Sequence, residues 1–160
     1  MDVIKQLFKQ QKAALLAGIG AAICITGLSF ISSQANALWL MAPFGATMVI
    51  LFSLPNSPLA QPRNIVMGHV ITAAVGLMVA YFFGVNELTL GLAVGLSIIV
   101  MMLTHTIHPP AGANPLVIML AGENWPFLVT PVASGALAIV CFGYLYHRNI
   151  SGQQYPQKWF

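Results

Sequence analysis

The sequence predicts an all-α polytopic membrane protein, and three observations carry that prediction. Charged residues make up 6% of the 160 positions and hydrophobic ones 58%, against about 25% charged in ordinary soluble domains. Four charge-free stretches, 13–32, 64–83, 88–106 and 127–146, each supply the roughly 20 helical residues that a hydrocarbon core of about 30 Å requires. Two shorter apolar segments, 38–54 and 108–121, are interrupted by Pro and Gly. A water-soluble fold of this size could not cover its surface with so few charges. A nucleic-acid partner is excluded because the net charge of +3 comes from a few residues near the chain ends and not from a basic face. Cys24 and Cys141 sit inside apolar runs and read as small buried hydrophobes, not as a bridge.

Taken in order, residues 1–12 place Lys5, Lys9 and Lys12 opposite Ile4, Leu7 and Phe8, the pattern of a short amphipathic helix lying on the cytoplasmic leaflet. The small-residue run Ala35-Asn36-Ala37 resembles a cleavage site, but the apolar stretch before it is longer than the roughly 7–15 residues of a signal. It is therefore expected to be a span. Gly91 and Gly95 in the third long span form a GxxxG pattern, consistent with close helix packing. The C-terminal 148–160 reads as a cytoplasmic tail. Lys and Arg at both ends place both termini in the cytoplasm. Arg63 then decides the fate of 38–54: if that segment crosses, Arg63 lies inside with Glu87 and Glu123 outside, and if it re-enters, Arg63 is the outside exception.

Shifting the chain by 67 residues brings Pro43 onto Pro110, Gly45 onto Gly112, Ala46 onto Ala113, Thr47 onto Asn114, Gly68 onto Gly135 and Gly76 onto Gly143. This is the pattern of an internal duplication, with repeat units 13–83 and 88–147. Each unit reads as long helix, broken segment, long helix. Paired Pro/Gly-interrupted segments are the best sequence pointer to a transporter's binding site.

The second broken segment runs His108-Pro109-Pro110-Ala111-Gly112-Ala113-Asn114-Pro115. The prolines end the preceding helix, Gly112 permits close backbone approach, and Asn114 before Pro115 is a helix-start pattern with Asn114 as cap. A half-helix is expected over about 115–121. In the first segment Pro43 and Gly45 break the chain, Thr47 caps, and 48–54 forms the matching half-helix. Two such N-termini at depth, each worth about half a positive charge, favour an anion. No Lys, Arg, Asp or Glu lies in any span, so a small anion passing through and held weakly by dipoles, hydroxyls and His fits better than one bound permanently. Small neutral solutes also fit, as does the plainer alternative that Pro and Gly merely kink packed helices.

His69, His105 and His108 are the intramembrane ionisable residues, functional by default. His105 and His108 are spaced to share a helix face, with contact to the anion, proton-linked gating or bonding of freed carbonyls as their alternative roles. His147 beside Arg148 reads as an interfacial anchor. No carboxylate or Cys joins the histidines as a metal ligand, and no nucleophile, phosphate-loop or metalloprotease pattern is present. Neither a metal, a cofactor nor an enzyme is expected.

The run from His108 through Pro115, with Ala42-Pro43-Phe44-Gly45-Ala46-Thr47 and Gln61-Pro62-Arg63-Asn64 ahead of Gly68-His69, resembles the HPP family of integral membrane proteins over about 13–147. Family members are described as having four transmembrane helices, and some cyanobacterial and plastid members are associated with nitrite transport. The resemblance implies a membrane transporter with nitrite as the leading candidate, in a bacterial inner membrane because no plastid transit peptide precedes the chain. The expected site residues are Pro43, Gly45, Thr47, His69, His105, His108, Pro109, Pro110, Gly112 and Asn114. The expected partners are the bilayer and a small inorganic anion, with a homo-oligomer as a further expectation. A non-transporting scaffold or accessory subunit is the rival reading.

Overall fold

The computed structural model describes residues 2–35 and 39–159. Six α-helices form its body: α1 Asp2–Ala35, α2 Ala42–Ser53, α3 Pro62–Phe83, α4 Glu87–Leu103, α5 Asn114–Ala121 and α6 Ser134–Tyr146. The described residues contain no strand. Three helical runs, Val3–Ala35, Pro62–Phe83 and Leu128–Ser151, are long and apolar enough to cross a membrane.

Among the described residues a fourth full-length span is not found, because α4 stops at 17 residues, about 26 Å. Its stop is a Schellman cap. The His105 N–H donates to the Met102 carbonyl and the Thr106 N–H to the Met101 carbonyl, with His105 at φ 54 in the left-handed position usually given to Gly. The apolar run continues past Leu103, but the backbone leaves the helix there. The short helix expected over residues 1–12 is not a separate element: residues 2–12 are the first turns of one continuous α1, with no breaker between Lys12 and Ala13. The possible cleavage site and the start of the first broken segment fall partly on 36–38, outside the described residues.

Direction follows from side-chain contacts. A Cβ on Gly20 of α1 would meet the Phe52 ring near the end of α2, while the Trp39 N–H just before α2 reaches Ser32 Oγ, so α2 runs back along α1. A Cβ on Gly68 would meet His108 and Ala111, and one on Gly76 would lie 2.8 Å from Pro115 Cα. The chain from His108 into α5 therefore climbs parallel to α3. A Cβ on Gly135 would strike the Phe44 ring and one on Gly143 would meet Leu51, so α6 descends parallel to α2. These contacts reciprocate at the repeat offset: Gly68 faces Ala111 and Gly135 faces Phe44, with Gly135 lying 67 residues after Gly68 and Ala111 67 residues after Phe44. The second pair of contacts, Gly76 with Pro115 and Gly143 with Leu51, matches to within one helical turn. Gly91 and Gly95 have no neighbour near a would-be Cβ, so the GxxxG face of α4 points away from the rest of the bundle.

All six Lys and Arg consequently gather at one end of the bundle. Lys9 and Lys12 share a pocket with Phe52, His147 and Gln153, Arg63 and Lys158 share another, Lys5 lies on the preceding turns of α1, and Arg148 follows the end of α6. Glu87 at the start of α4 and Glu123 just past α5 lie at the opposite end. The tail is docked at the basic end: Tyr155 Oη donates to the Ala60 carbonyl and the Gln157 N–H to Gln61 Oε1. Burial raises the pKa of the Tyr155 phenol and keeps it a donor.

Candidate functional site

Four of the ten expected site residues meet in one buried cluster. Thr47, His69, His108 and Asn114 are each 0% exposed, supplied by α2, α3, the chain just before a 3-10 turn at Pro109–Ala113, and the first position of α5. Thr47 Oγ1 lies 2.9 Å from His69 Nε2 and 2.9 Å from His108 Nε2. His108 Nδ1 donates to the Leu59 carbonyl at 2.8 Å. Asn114 Nδ2 reaches the His69 carbonyl at 2.9 Å, Thr72 Oγ1 at 3.0 Å and His69 Nδ1 at 3.0 Å. The two imidazole rings stand 5.0 Å apart and nearly edge to face, and Phe44 closes the far side of His69 edge-on at 5.1 Å.

Neither Thr47 nor Asn114 caps a helix as the sequence predicts. α2 begins at Ala42, five residues before Thr47, with Met41 as its N-cap and Pro43 in its first turn. Gly45 therefore sits inside an unbroken helix, and the interruption precedes Ala42. α5 is capped by Ala113 and begins at Asn114, because the Pro109–Ala113 turn runs straight into it and leaves no separate capping position. Freed from capping, both side chains turn inward and hydrogen-bond between elements. The half-helix expected over 115–121 is present, one residue longer at its start.

The remaining site residues lie elsewhere. Pro43, Pro109 and Pro110 line an apolar groove of about 620 Å³ together with Ala42, Ala46, Val49, Ile50, Ala113 and Val117. Across it α2 and the 109–117 chain pass antiparallel, and four of its pairs (42 with 109, 43 with 110, 46 with 113, 50 with 117) keep the 67-residue offset. The two electropositive helix ends thus flank a greasy groove, and the polar cluster lies behind it with no surface exposed. Gly45 faces α1. Gly112 is half-buried with open space where a Cβ would be. His105, held by the Schellman cap, is exposed beside Arg63 and Lys158 and takes no part in the cluster. His147 is buried: its Nε2 donates to the Leu51 carbonyl and its Nδ1 faces Ser151 Oγ, which ties the end of α6 to α2.

Four residues contribute in ways the sequence reading missed. Thr72 lies one turn beyond His69 on α3, a spacing that could have flagged it. The Leu59 carbonyl carries no sequence signal. Arg63 and Asn64, which donate to the Thr104 and Ile107 carbonyls at 2.9 Å each, hold the irregular 104–108 chain against α3. Among the described residues no three His, Cys, Asp or Glu side chains are grouped to hold a metal ion.

With this cluster and its two interrupted segments in view, comparison with known proteins places the chain. The HPP transmembrane-region family model matches residues 7–156. The chain belongs to the HPP family. Two relatives from Dictyostelium discoideum, each named only as a transmembrane protein, are 35% and 37% identical over 81% and 76% of this chain. The matches cover 44% and 45% of those relatives, so this HPP chain aligns with less than half of their length. No solved structure matches it.

Proposed function

We propose that this HPP protein carries a small anion, nitrite being the leading candidate, across the membrane at the Thr47–His69–His108–Asn114 cluster. The observation that carries the reading is the convergence itself. Two interrupted segments far apart in sequence, 39–54 and 104–121, neither holding a Lys, Arg, Asp or Glu, deliver Thr47, His108 and Asn114 to one buried point. Polar groups this deep in a membrane protein mark substrate or proton pathways. The reciprocal glycine contacts and the paired lining of the groove support an internal duplication with inverted halves. The first half is α1–α3 and the second is α4–α6, each with three crossings and its short helices at the shared centre. The bundle's basic end then faces the cytoplasm, both termini with it.

Two experiments test this reading. Purified protein in proteoliposomes should take up nitrite faster than empty vesicles and faster than it takes up neutral solutes such as urea. In a background with Cys24 and Cys141 replaced by Ala, Lys5→Cys and Arg63→Cys should label from one side of the membrane and Glu123→Cys from the other. Arg63→Cys labelling with Glu123→Cys would mean that α2 re-enters instead of crossing. The second reading, a non-transporting scaffold, draws on the closure of the cluster, whose four side chains show no exposed surface. Absence of flux for every small anion would favour it.

A further inference from the structure

Counting donors and acceptors in the buried cluster leads to its protonation state. The Leu59 carbonyl only accepts, so His108 Nδ1 carries hydrogen. If His108 is neutral, its Nε2 is an acceptor and the Thr47 hydroxyl donates to it. Thr47 Oγ1 then accepts from His69 Nε2–H, and His69 Nδ1 is left as an acceptor for an Asn114 N–H. Asn114 now has two N–H groups for three acceptors, while its Oδ1, 3.3 Å from the same His69 Nδ1, has no donor. Reversing the chain with both rings neutral only moves the mismatch to the Thr47–His108 contact or to the Leu59 carbonyl.

One added proton gives every donor and acceptor of the cluster a partner without moving a heavy atom, the His69 Nδ1 bond passing from Asn114 Nδ2 at 3.0 Å to Oδ1 at 3.3 Å. It bonds to His69 Nδ1, which then donates to Asn114 Oδ1. The His69 Nε2 proton passes to Thr47 Oγ1, and the Thr47 hydroxyl proton passes to His108 Nε2. Threonine ends neutral, His69 has exchanged one tautomer for the other, and the positive charge rests on His108, which donates to Thr47 and to the Leu59 carbonyl. Asn114 keeps its two N–H groups for the His69 carbonyl and Thr72 Oγ1. A second added proton would set two cations 5.0 Å apart.

We propose that the His69–Thr47–His108 chain is a one-proton site and that its proton accompanies the transported anion. The coupling rests on the transport reading. A lone buried imidazolium and a lone buried anion are each costly, and together they neutralise one another, so each raises the cluster's affinity for the other. No other charge intervenes. α2, α5 and the turns at Pro58–Ala60, Pro109–Ala113 and Leu128–Ala133 hold no titratable side chain. α4 offers only Glu87 at its far end, α6 offers Cys141, Tyr144 and Tyr146, and α3 itself offers Arg63 and Tyr81 near its two ends.

Nitrogen-15 NMR of histidine-labelled protein in lipid vesicles, read while the pH is lowered, tests the site without any transport. The expected result is a single step in which His108 gains its second N–H while His69 switches from Nε2–H to Nδ1–H. Thr47→Ser should keep the joint step, and Thr47→Val should split it into separate titrations. Retention of Nε2–H on His69 once His108 is charged would overturn the site, as would loss of the fold before either ring takes up a proton. Coupling is read from nitrite uptake into proteoliposomes with and without an inward proton gradient. Uptake accelerated by the gradient supports it, and uptake indifferent to the gradient overturns it. If no nitrite flux occurs under any condition, the coupling and the transport reading fall together, while a one-proton site established by NMR stands.

Discussion

Thr47→Val should destabilise the protein by about 2–6 kcal/mol. The change keeps the side chain's shape and removes one oxygen, which stands 2.9 Å from a ring nitrogen of each of two fully buried histidines. A methyl in its place leaves both nitrogens without partners, at about 1–3 kcal/mol for each buried unpaired group. Thr47→Ser keeps the hydroxyl and loses one buried methyl, for about 1 kcal/mol. Thermal unfolding in a mild detergent distinguishes the two: serine should melt near the wild type and valine well below it. Equal melting of wild type and Thr47→Val would mean that the hydroxyl does not bridge the rings.

Gly76→Val is expected to cost about 1–3 kcal/mol by overpacking. A Cβ at that position lies 2.8 Å from Pro115 Cα. That neighbour is backbone, in the first turn of α5, and cannot swing aside as a flexible side chain could. Relief requires pushing α5 away from α3, which also pulls Asn114 from His69 and Thr72. Gly91→Ala is the matched control: it lies in α4 with nothing near a would-be Cβ, so it should be neutral or gain up to about 1 kcal/mol of helix propensity. Chemical unfolding of the two variants in detergent should separate them, and similar stabilities would contradict the close approach of α3 and α5.

Much of the framework was legible because membrane burial writes a strong signal in the chain. Charge-free runs located α1, α3 and α6, and the Pro-rich run before Asn114 located α5, whereas Pro43 and Gly45 lie inside α2 and put its start several residues too late. His69, Thr47, His108 and Asn114 were recognisable as polar groups with no reason to be in lipid. What stayed hidden was decided by tertiary contacts. The end of α4 depends on His105 taking a left-handed conformation where a Gly would have announced the stop. Thr47 and Asn114 have the residue types of caps, but the helices start elsewhere, and their hydrogen bonds go across the bundle instead of along it. The Leu59 carbonyl, which sets the orientation of His108, is backbone and has no residue code. Residues 2–12 form a pattern that suits a surface helix as well as the opening turns of a span, and continuity with Ala13 decides for the second.

Initial rates of nitrite uptake by proteoliposomes holding wild type, His108→Ala or Asn114→Ala, each purified as a single monodisperse species, test most directly whether the buried cluster is the transport site. Saturable uptake by the wild type that falls to the level of empty vesicles in both variants is the predicted result. Wild-type rates in either folded variant would contradict it.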